Sequence, residues 1–142
     1  MPEFLPNPHK GKTILLAEDE QPVRNFVHLL LLGNGYDVLV VENGIEALDK
    51  SREHTGEIHL LLSDVEMPQM TGTELATQIA IERPNAKIIL MSGFPSEMLV
   101  LNHGWKFLAK PFDAHMLRET IRMVLDRLPS DVKPGVDQWL PL

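Results

Sequence analysis

The sequence predicts an α/β domain, a doubly wound (βα)5 sheet of five parallel strands with helices on both faces. Three observations support this prediction. Five short apolar runs recur along the chain, and a helix-like segment follows each run. The runs are apolar nearly throughout instead of alternating with polar residues, which is typical of strands buried on both faces. Capping signals also stand where the helices would begin.

The apolar runs are short and are bounded by polar or turn residues, as strands are. They are Thr13–Ala17, Tyr36–Glu42, Ile58–Ser63, Ala86–Met91 and Lys106–Leu108. Parallel strands joined by helical crossovers take right-handed connections, so most of the topology follows from the order of the runs.

Residues with known capping preferences mark the starts of the first three helices. Pro22 follows three acids and stands where a first helical residue would be. The N-cap and N3 positions of a capping box are filled twice, by Asn43 with Glu46 and by Thr71 with Glu74.

The last helix combines a cap with one apolar stripe. Asp113 is its candidate N-cap. Apolar residues then recur at three- and four-residue steps, as they do on the buried face of a helix. These residues are Leu117, Ile121, Val124, Leu125 and Leu128.

Length and composition indicate one domain with two tails. The chain has 142 residues, of which 44% are hydrophobic, and a domain of this size can bury a substantial core. Both ends of the chain are rich in proline and turn residues. We therefore expect residues 1–11 to be a linker or disordered arm, residues 12–128 to form the domain, and residues 129–142 to be a flexible tail.

Charge and residue usage exclude several classes of function. The net charge of −7 disfavours nucleic acid as a partner, because phosphate binding needs clustered basic residues. No cysteine is present, which excludes a disulfide framework and a Cys-ligated metal. The apolar stretches are far shorter than the roughly 20 residues of a membrane span. Since the N-terminus also lacks the apolar segment of a signal peptide, the cytoplasm is the expected location.

Polar side chains follow four of the five strand-like runs. The first run ends in three acids, Glu18–Glu20, and the third ends in Asp64. Ser92 ends the fourth run and Lys110 follows the fifth. Each residue alone has a structural explanation as a turn former, a helix N-terminal acid or a surface charge. Ligands of open α/β sheets bind outside the carboxyl ends of the strands, so together these residues predict one pocket.

Electrostatics predicts a cation in this pocket. Two carboxylates about 4 Å apart repel by roughly 4 kcal/mol at an effective dielectric constant of about 20. A cluster of Asp19, Asp64 and Glu18 therefore requires a cation or a raised pKa. Oxygen ligands with open positions suit Mg²⁺ better than zinc or copper. Mg²⁺ beside Asp64, with Lys110 and Ser92 opposite, could neutralise a phosphoryl group as it reaches the Asp64 carboxylate, which would act as a nucleophile.

Four motifs in this order resemble those of receiver domains of two-component response regulators. They are ILLAEDEQPVR, LLLSDVEMPQMTG, ILMSG and FLAKPF. The resemblance covers about residues 12–128. It implies a flavodoxin-like fold with the strand order 2-1-3-4-5.

The resemblance assigns roles to the acids. Asp64 would accept the phosphoryl group. Asp19 would bind Mg²⁺ directly, and Glu18 would act on the metal through water. The backbone carbonyl of Glu66 would be a further protein ligand.

The resemblance also implies a conformational switch. Ser92 would hydrogen-bond a phosphoryl oxygen, and Lys110 would pair with the phosphoryl charge. Phe107 would be the aromatic residue that turns inward when Ser92 moves. The Lys110–Pro111 peptide bond would be cis, an isomer that only about 5–6% of such bonds adopt.

Two features depart from the usual receiver pattern. The segment from Ser92 to Lys110 is short, so we expect the fourth helix, near Ser96–Asn102, to be a single turn or irregular. We also expect no DNA-binding output domain after the last helix. The motifs SDVEMP, MSGF and FLAKPF most resemble receivers of hybrid sensor histidine kinases, so a receiver from such a kinase and a stand-alone receiver are both expected forms. The expected partner is a histidine kinase or a histidine phosphotransfer protein.

The first helix carries a candidate docking face for that partner. The residues expected on its core-facing side are Val23, Phe26, Val27 and Leu30. Leu29 and Leu32 lie outside this face, although exposed leucines are common in any protein. We hypothesise that Leu29 and Leu32 form, with Arg24 and His28, an apolar docking surface with a polar rim.

Two other functions are alternatives at the level of the sequence. An Asp nucleophile also serves small phosphatases of the haloacid dehalogenase type, although these usually carry a second Asp where this chain has Glu66. A receiver that only binds partners, without phosphorylation, would lack one of the acids or the lysine, and none is missing. Whether the domain catalyses anything beyond its own dephosphorylation is undecided at this point.

Overall fold

The computed structural model describes residues 7–93 and 104–127. Its elements in chain order are β1 (Thr13–Ala17), α1 (Gln21–Gly33), β2 (Asp37–Val41), α2 (Gly44–Glu53), β3 (Leu60–Asp64), α3 (Gly72–Glu82), β4 (Lys87–Ser92), β5 (Lys106–Ala109) and α4 (Ala114–Asp126). Every predicted strand is present, within two residues of its expected ends. The expected short helix near Ser96–Asn102 and the tail of residues 129–142 lie outside the described residues. None of the helices in the described part is long and apolar enough to cross a membrane.

The strands form one parallel sheet in the order β2-β1-β3-β4-β5, which confirms the predicted fold. The burial of a strand depends on its place in this order. All residues of β1 and β3 are buried, whereas the edge strands β2 and β5 carry exposed positions. Helices cover the inner strands on both faces, which explains why their sequences are apolar nearly throughout.

Successive residues of β1 point to opposite faces of the sheet, and each face has its own core. Leu15 and Ala17 belong to the core beneath α2 and α3. Ile14 and Leu16 belong to the core beneath α1 and α4. The carboxyl ends of all the parallel strands lie at one end of the sheet, which is where ligands bind in open α/β sheets.

The predicted helix caps are present, with one change of partner. Thr71 and Glu74 form a complete capping box at the start of α3. The Asn43 side chain accepts a hydrogen bond from the Glu46 N–H at 2.8 Å. The Glu46 carboxylate, however, accepts from the N–H of Glu42, one residue before the N-cap, and does not close the box. The backbone N–H groups of Glu42 and Glu46 therefore both have a hydrogen-bond acceptor.

Helix α4 confirms its predicted cap and stripe. Asp113 accepts a hydrogen bond from the N–H of Met116 at 2.8 Å. The stripe residues within the described part are all buried: Leu117, Ile121, Val124 and Leu125. Leu128 lies outside the described residues.

The phase of α1 differs from the prediction. Pro22 is its second residue and not its first, since the helix begins at Gln21. Val27 is fully buried, but Phe26, expected in the core, is 44% exposed. Leu31 is buried instead, four residues after Val27 and on the same side of the helix. The prediction for Phe26 was therefore wrong, because α1 turns its Val27–Leu31 side toward the sheet.

A hydrogen-bonded turn precedes β1 and packs onto the domain. His9 is only 7% exposed, and its Nε2 lies 2.5 Å from Oδ1 of Asp126 at the end of α4. Lys12 Nζ lies 2.9 Å from the other ring nitrogen of His9. The Asn7 side chain donates to the Asn34 carbonyl after α1. The expected boundary at residue 12 falls at the end of this turn, so we propose that the folded domain begins no later than Asn7.

Candidate functional site

Three charged side chains meet at the carboxyl ends of the strands. Glu18 follows β1, Asp64 ends β3, and Lys110 follows β5. β1 and β3 are neighbours, whereas β4 separates β3 from β5. The sheet thus joins Glu18 to Lys110, which are 92 positions apart in the sequence.

The ammonium of Lys110 lies between the carboxylates. Its Nζ atom is 3.2 Å from Oε1 of Glu18, 3.3 Å from Oδ1 of Asp64 and 3.8 Å from Oε1 of Glu20. Glu18 is fully buried and Asp64 is 3% exposed, so water screens these contacts less than at a surface. The Lys110–Pro111 peptide bond is cis, as the resemblance predicts.

Burial shifts the pKa of both carboxyls upward. Burial raises the pKa of Glu18 from 4.5 to about 7; the hydrogen bond from the Glu20 N–H opposes this rise and the charge of Asp64 adds to it. Burial also raises the pKa of Asp64, against the charge of Lys110. Burial alone would lower the pKa of Lys110, but attraction to Asp64 and Glu18 outweighs it and the pKa is raised. A bound cation would favour the ionised form of each acid.

The acids form a group of oxygen donors of the kind that hard cations bind. Carboxylate oxygens of Glu18, Glu20 and Asp64 lie within 4.8 Å of one another. Asp19 is exposed, and its carboxyl is close enough to Asp64 to hydrogen-bond with it and raise its pKa. The predicted metal site consisted of Asp19, Asp64, the backbone carbonyl of Glu66 and, through water, Glu18, and it did not include Glu20. The available signal for Glu20 was its place as the third acid of the run.

The loop after β3 packs tightly against the Asp64 backbone. The Glu66 N–H donates to Oδ1 of Asp64 at 3.3 Å, and the Gly72 N–H donates to the Val65 carbonyl at 2.8 Å. A Cβ atom on Gly72 would lie 2.1 Å from the carbonyl oxygen of Asp64, so a larger residue fits only if the loop moves. Sequence reasoning did not single out Gly72, although the TG pair at the end of MPQMTG was a signal for a close approach.

Ser92 and Phe107 lie on the two strands beyond Asp64. Asp64 is opposite Met91 in the register of β3 and β4, so Ser92 lies one residue further along β4. Ser92 is 1% exposed, and its carbonyl accepts a hydrogen bond from the Lys110 N–H at 2.8 Å. Phe107 is half-buried on β5 and packs against the core beneath α2 and α3. The structure thus places Ser92 beside the acid and lysine cluster, and Phe107 further back along β5.

The segment that carries this cluster matches one protein family. The family model for the response regulator receiver domain covers residues 14–122. The chain belongs to this family. The predicted assignment to two-component receivers is therefore confirmed.

This receiver domain is similar to relatives of two different lengths. It is 34% identical over 119 residues to the sensor kinase CckA of Brucella abortus (strain 2308), a match that covers 81% of this chain but 13% of that kinase. It is 36% identical over 118 residues to the response regulator receiver protein CpdR of the same organism, covering 80% of this chain and 97% of CpdR. The chain therefore spans nearly all of one relative and a small part of the other.

Solved structures of receivers share the same fold. The receiver domain from the hybrid histidine kinase CckA is 36% identical, with a TM-score of 0.70 over 80% of this chain and 98% of that chain. The response regulator TrrA from Thermotoga maritima, solved in complex with Mg(2+)-BeF, is 30% identical, with a TM-score of 0.68 over 80% of this chain and 98% of that chain. Both similarities support the receiver fold and its strand order.

Helix α1 of the receiver presents apolar side chains to solvent. Leu29 is 69% exposed and Leu32 is 48% exposed, while His28 is half-buried. Arg24 is half-buried, and its Nη1 donates to the backbone carbonyl of Glu18 at 2.9 Å. The two leucines are thus available to a partner, whereas the guanidinium of Arg24 contacts the segment of residues 18–20 between β1 and α1, hereafter the acidic loop.

An apolar groove opens between α1 and the segment after β5. Its volume is about 520 Å³, and its lining consists of Pro22, Val23, Phe26, Lys110, Pro111 and Phe112. Because Lys110 belongs to both the groove and the acidic cluster, the groove borders the candidate site directly.

Proposed function

We propose that this receiver domain accepts a phosphoryl group on Asp64 from the phosphohistidine of a histidine kinase or a histidine phosphotransfer protein, in a Mg²⁺-dependent reaction. The observation that carries the proposal is the Lys110 ammonium 3.3 Å from the buried Asp64 carboxylate. An ammonium at this distance can pair with a phosphoryl group that lands on the carboxylate. Family membership supports the same class of function.

The transfer would exchange one bond to phosphorus for another. A P–O bond forms to the Asp64 carboxylate as the P–N bond of the phosphohistidine breaks, and the imidazole keeps the electron pair of the broken bond. The acceptor must be ionised to attack, and the charge of Lys110 favours the ionised form of Asp64. Hydrolysis of the acyl phosphate would later restore the carboxylate.

The donor set fits Mg²⁺. Asp19, Asp64 and the backbone carbonyl of Glu66 would hold the ion, and Glu18 would act through water. The carboxylate oxygens of Glu18, Glu20 and Asp64 lie within 4.8 Å of one another, and the Asp19 carboxyl is within hydrogen-bonding reach of Asp64. Carboxylates clustered in this way attract a hard cation, which supports the proposal. When bound, Mg²⁺ supplies positive charge that stabilises the transferring phosphoryl group.

Ser92 and Phe107 would carry the response to phosphorylation. The buried Ser92 would donate its hydroxyl to a phosphoryl oxygen, since it lies one residue beyond the partner of Asp64 on β4. Phe107 is opposite Leu90 in the register of β4 and β5. A movement of Ser92, two residues further along β4, would therefore occur close to the Phe107 ring. The half-buried ring would turn inward as Ser92 moves toward the phosphoryl group.

The phosphoryl donor would dock on α1 and the adjoining groove. Leu29, Leu32 and His28 remain the proposed members on the helix. Phe26, expected in the core but found exposed, extends this face to the groove that borders Lys110. The docking face would thus lead to the acceptor carboxylate.

The longer protein context has two candidate forms. Similarity to the CckA receiver supports a hybrid histidine kinase, in which this domain would be a small part. The match to nearly the whole of CpdR supports a stand-alone receiver. The cytoplasmic location expected from the sequence stays a prediction.

Incubation of the chain with acetyl phosphate and Mg²⁺ tests the proposal. Intact-mass spectrometry should detect one added phosphoryl group on the wild type and on Asp49→Asn, a control at an exposed acid of α2. The Asp64→Asn variant should gain none. Absence of labelling in the wild type, or labelling that survives Asp64→Asn, would overturn the proposal. Repeated turnover of added phosphoesters would favour the phosphatase alternative.

A further inference from the structure

We propose that Arg24 is a positioning residue for the metal site, because its guanidinium holds the backbone of the acidic loop so that the carboxylates face Mg²⁺. The inference rests on the proposed function, since it concerns the same site. Nη1 of Arg24 lies 2.9 Å from the carbonyl oxygen of Glu18 and 3.4 Å from that of Asp19. One nitrogen atom therefore contacts two consecutive peptide carbonyls.

The place of Arg24 in its helix is unfavourable for the helix itself. Arg24 is the fourth residue of α1, which begins at Gln21. The helix dipole places partial positive charge at this end, so a cation here is destabilised. Contact with the carbonyls of Glu18 and Asp19 offsets that cost. The position therefore indicates a local role in the loop and not a contribution to helix stability.

The acidic loop is held from two sides. The Glu18 carboxylate accepts hydrogen bonds from the Glu20 N–H at 3.1 Å and from Lys110 at 3.2 Å. Arg24 holds the carbonyl of the same residue from the helix side. Asp19 is exposed, so core packing does not orient it, but its backbone carbonyl lies 3.4 Å from Nη1 of Arg24.

Arginine suits this task better than lysine. The guanidinium is planar and its N–H groups point in fixed directions, so contacts with two backbone carbonyls orient the loop. A lysine ammonium would retain the charge but rotate freely about its stem. Because lysine retains the charge but not the fixed orientation, exchange of Arg24 for lysine tests whether orientation of the loop matters.

The charge of Arg24 and its positioning act on Mg²⁺ in opposite directions. A cation beside the site repels Mg²⁺, so removal of the charge alone would tighten Mg²⁺ binding. Loss of the loop geometry would weaken Mg²⁺ binding, because the ligands would no longer converge. The sign of the change in affinity therefore separates the two effects.

Calorimetric titration of the full chain with Mg²⁺ measures this sign. Arg24→Met should raise the Kd for Mg²⁺ about 10-fold, as the loss of outer-shell partners does at other metal sites. Arg24→Lys should raise it by a smaller factor. Arg52→Met, at an exposed arginine in the last turn of α2, is the matched control and should leave the Kd unchanged.

Phosphorylation by acetyl phosphate supplies a second readout. The Mg²⁺ concentration for half-maximal rate should rise with the Kd in Arg24→Met, while the rate at saturating Mg²⁺ should fall by less than about twofold. Equal or tighter Mg²⁺ binding by a folded Arg24→Met protein would overturn the inference. If Arg24→Met fails to fold, the Arg24→Lys variant replaces it in this test. Mg²⁺ binding by Arg24→Lys that is as tight as in the wild type would then overturn the inference. A wild-type chain that binds no Mg²⁺ would instead overturn the proposed function.

Discussion

The Nζ atom of Lys110 lies 3.3 Å from Oδ1 of Asp64, so a residue that follows an edge strand supplies the counter-charge for a carboxylate on the central strand. The same ammonium contacts Glu18 at 3.2 Å. One lysine therefore serves two buried acids, and burial still raises the pKa of both. As a result, the charge state of the site depends on pH whenever no divalent cation is bound.

Glu18 should make the Mg²⁺-free protein less stable as the pH rises. Its pKa is about 7 in the folded protein against 4.5 as the ordinary value, so the folded state holds a proton that the unfolded chain has lost between these values. The stability from this proton is complete below pH 4.5 and is lost as the pH rises through about 7. The loss is on the order of 3 kcal/mol.

Urea unfolding in the presence of a chelator, between about pH 5 and about pH 8, measures this loss. Glu18→Gln should remove most of the decline in the free energy of unfolding. Glu53→Gln, at an exposed residue of α2, should retain it. An unchanged pH dependence in Glu18→Gln would show that another group is responsible.

Gly72→Ala should lower both the free energy of unfolding and the rate of phosphoryl acceptance. The added Cβ would meet the Asp64 carbonyl oxygen at 2.1 Å, so the loop and the acceptor must move apart. Overpacking of this kind costs about 1–3 kcal/mol. Gly33→Ala at the end of α1 is the control, because among the described residues no atom beyond its chain neighbours and its own helix backbone lies within 4 Å of its Cβ position. Two variants of equal stability and equal acetyl phosphate reactivity would disprove the argument.

His9→Ala should destabilise the fold by about 1 kcal/mol, because it removes a buried imidazole and its hydrogen bonds to Asp126 and Lys12. Phosphoryl acceptance should stay normal, since the turn precedes β1 at the edge of the sheet opposite the site. Chemical unfolding measures the effect, and His115→Ala, at an exposed position of α4, should change little. A His9→Ala protein as stable as His115→Ala would mean that the turn is not part of the domain.

Phe26→Asp and Leu32→Asp should slow phosphotransfer from a partner kinase by roughly 10-fold each, the size of a central apolar contact at an interface. Acceptance from acetyl phosphate should be unchanged in Leu32→Asp, because Leu32 lies outside the groove that contains Lys110. Ile81→Asp is a control at an equally apolar position of α3 that is 69% exposed. Normal transfer to both α1 variants would remove this helix from the docking face.

Local sequence rules were sufficient for the elements and for most of the candidate site. Uniformly apolar runs predicted buried parallel strands, and Thr71 with Glu74 predicted a complete capping box. Asp64, Ser92 and Lys110 could be found because strand ends are recognisable in sequence and because parallel strands bring those ends together. These features depend on residues within a few positions of one another or on the repeated pattern of the fold.

The tertiary structure alone decided the contacts that depend on helix phase and on distance in the chain. A shift in the phase of α1 exposed Phe26 and buried Leu31, and a prediction from periodicity cannot resolve such a shift when both faces carry apolar residues. The contact of His9 with Asp126 joins residues 117 positions apart. The contacts of Arg24 with the carbonyls of Glu18 and Asp19 depend on the direction of the α1 axis relative to β1. Sequence determined which groups stand at the ends of the strands, whereas only packing decided which of them come within hydrogen-bonding or ion-pair distance, because those interactions act over a few ångströms in space.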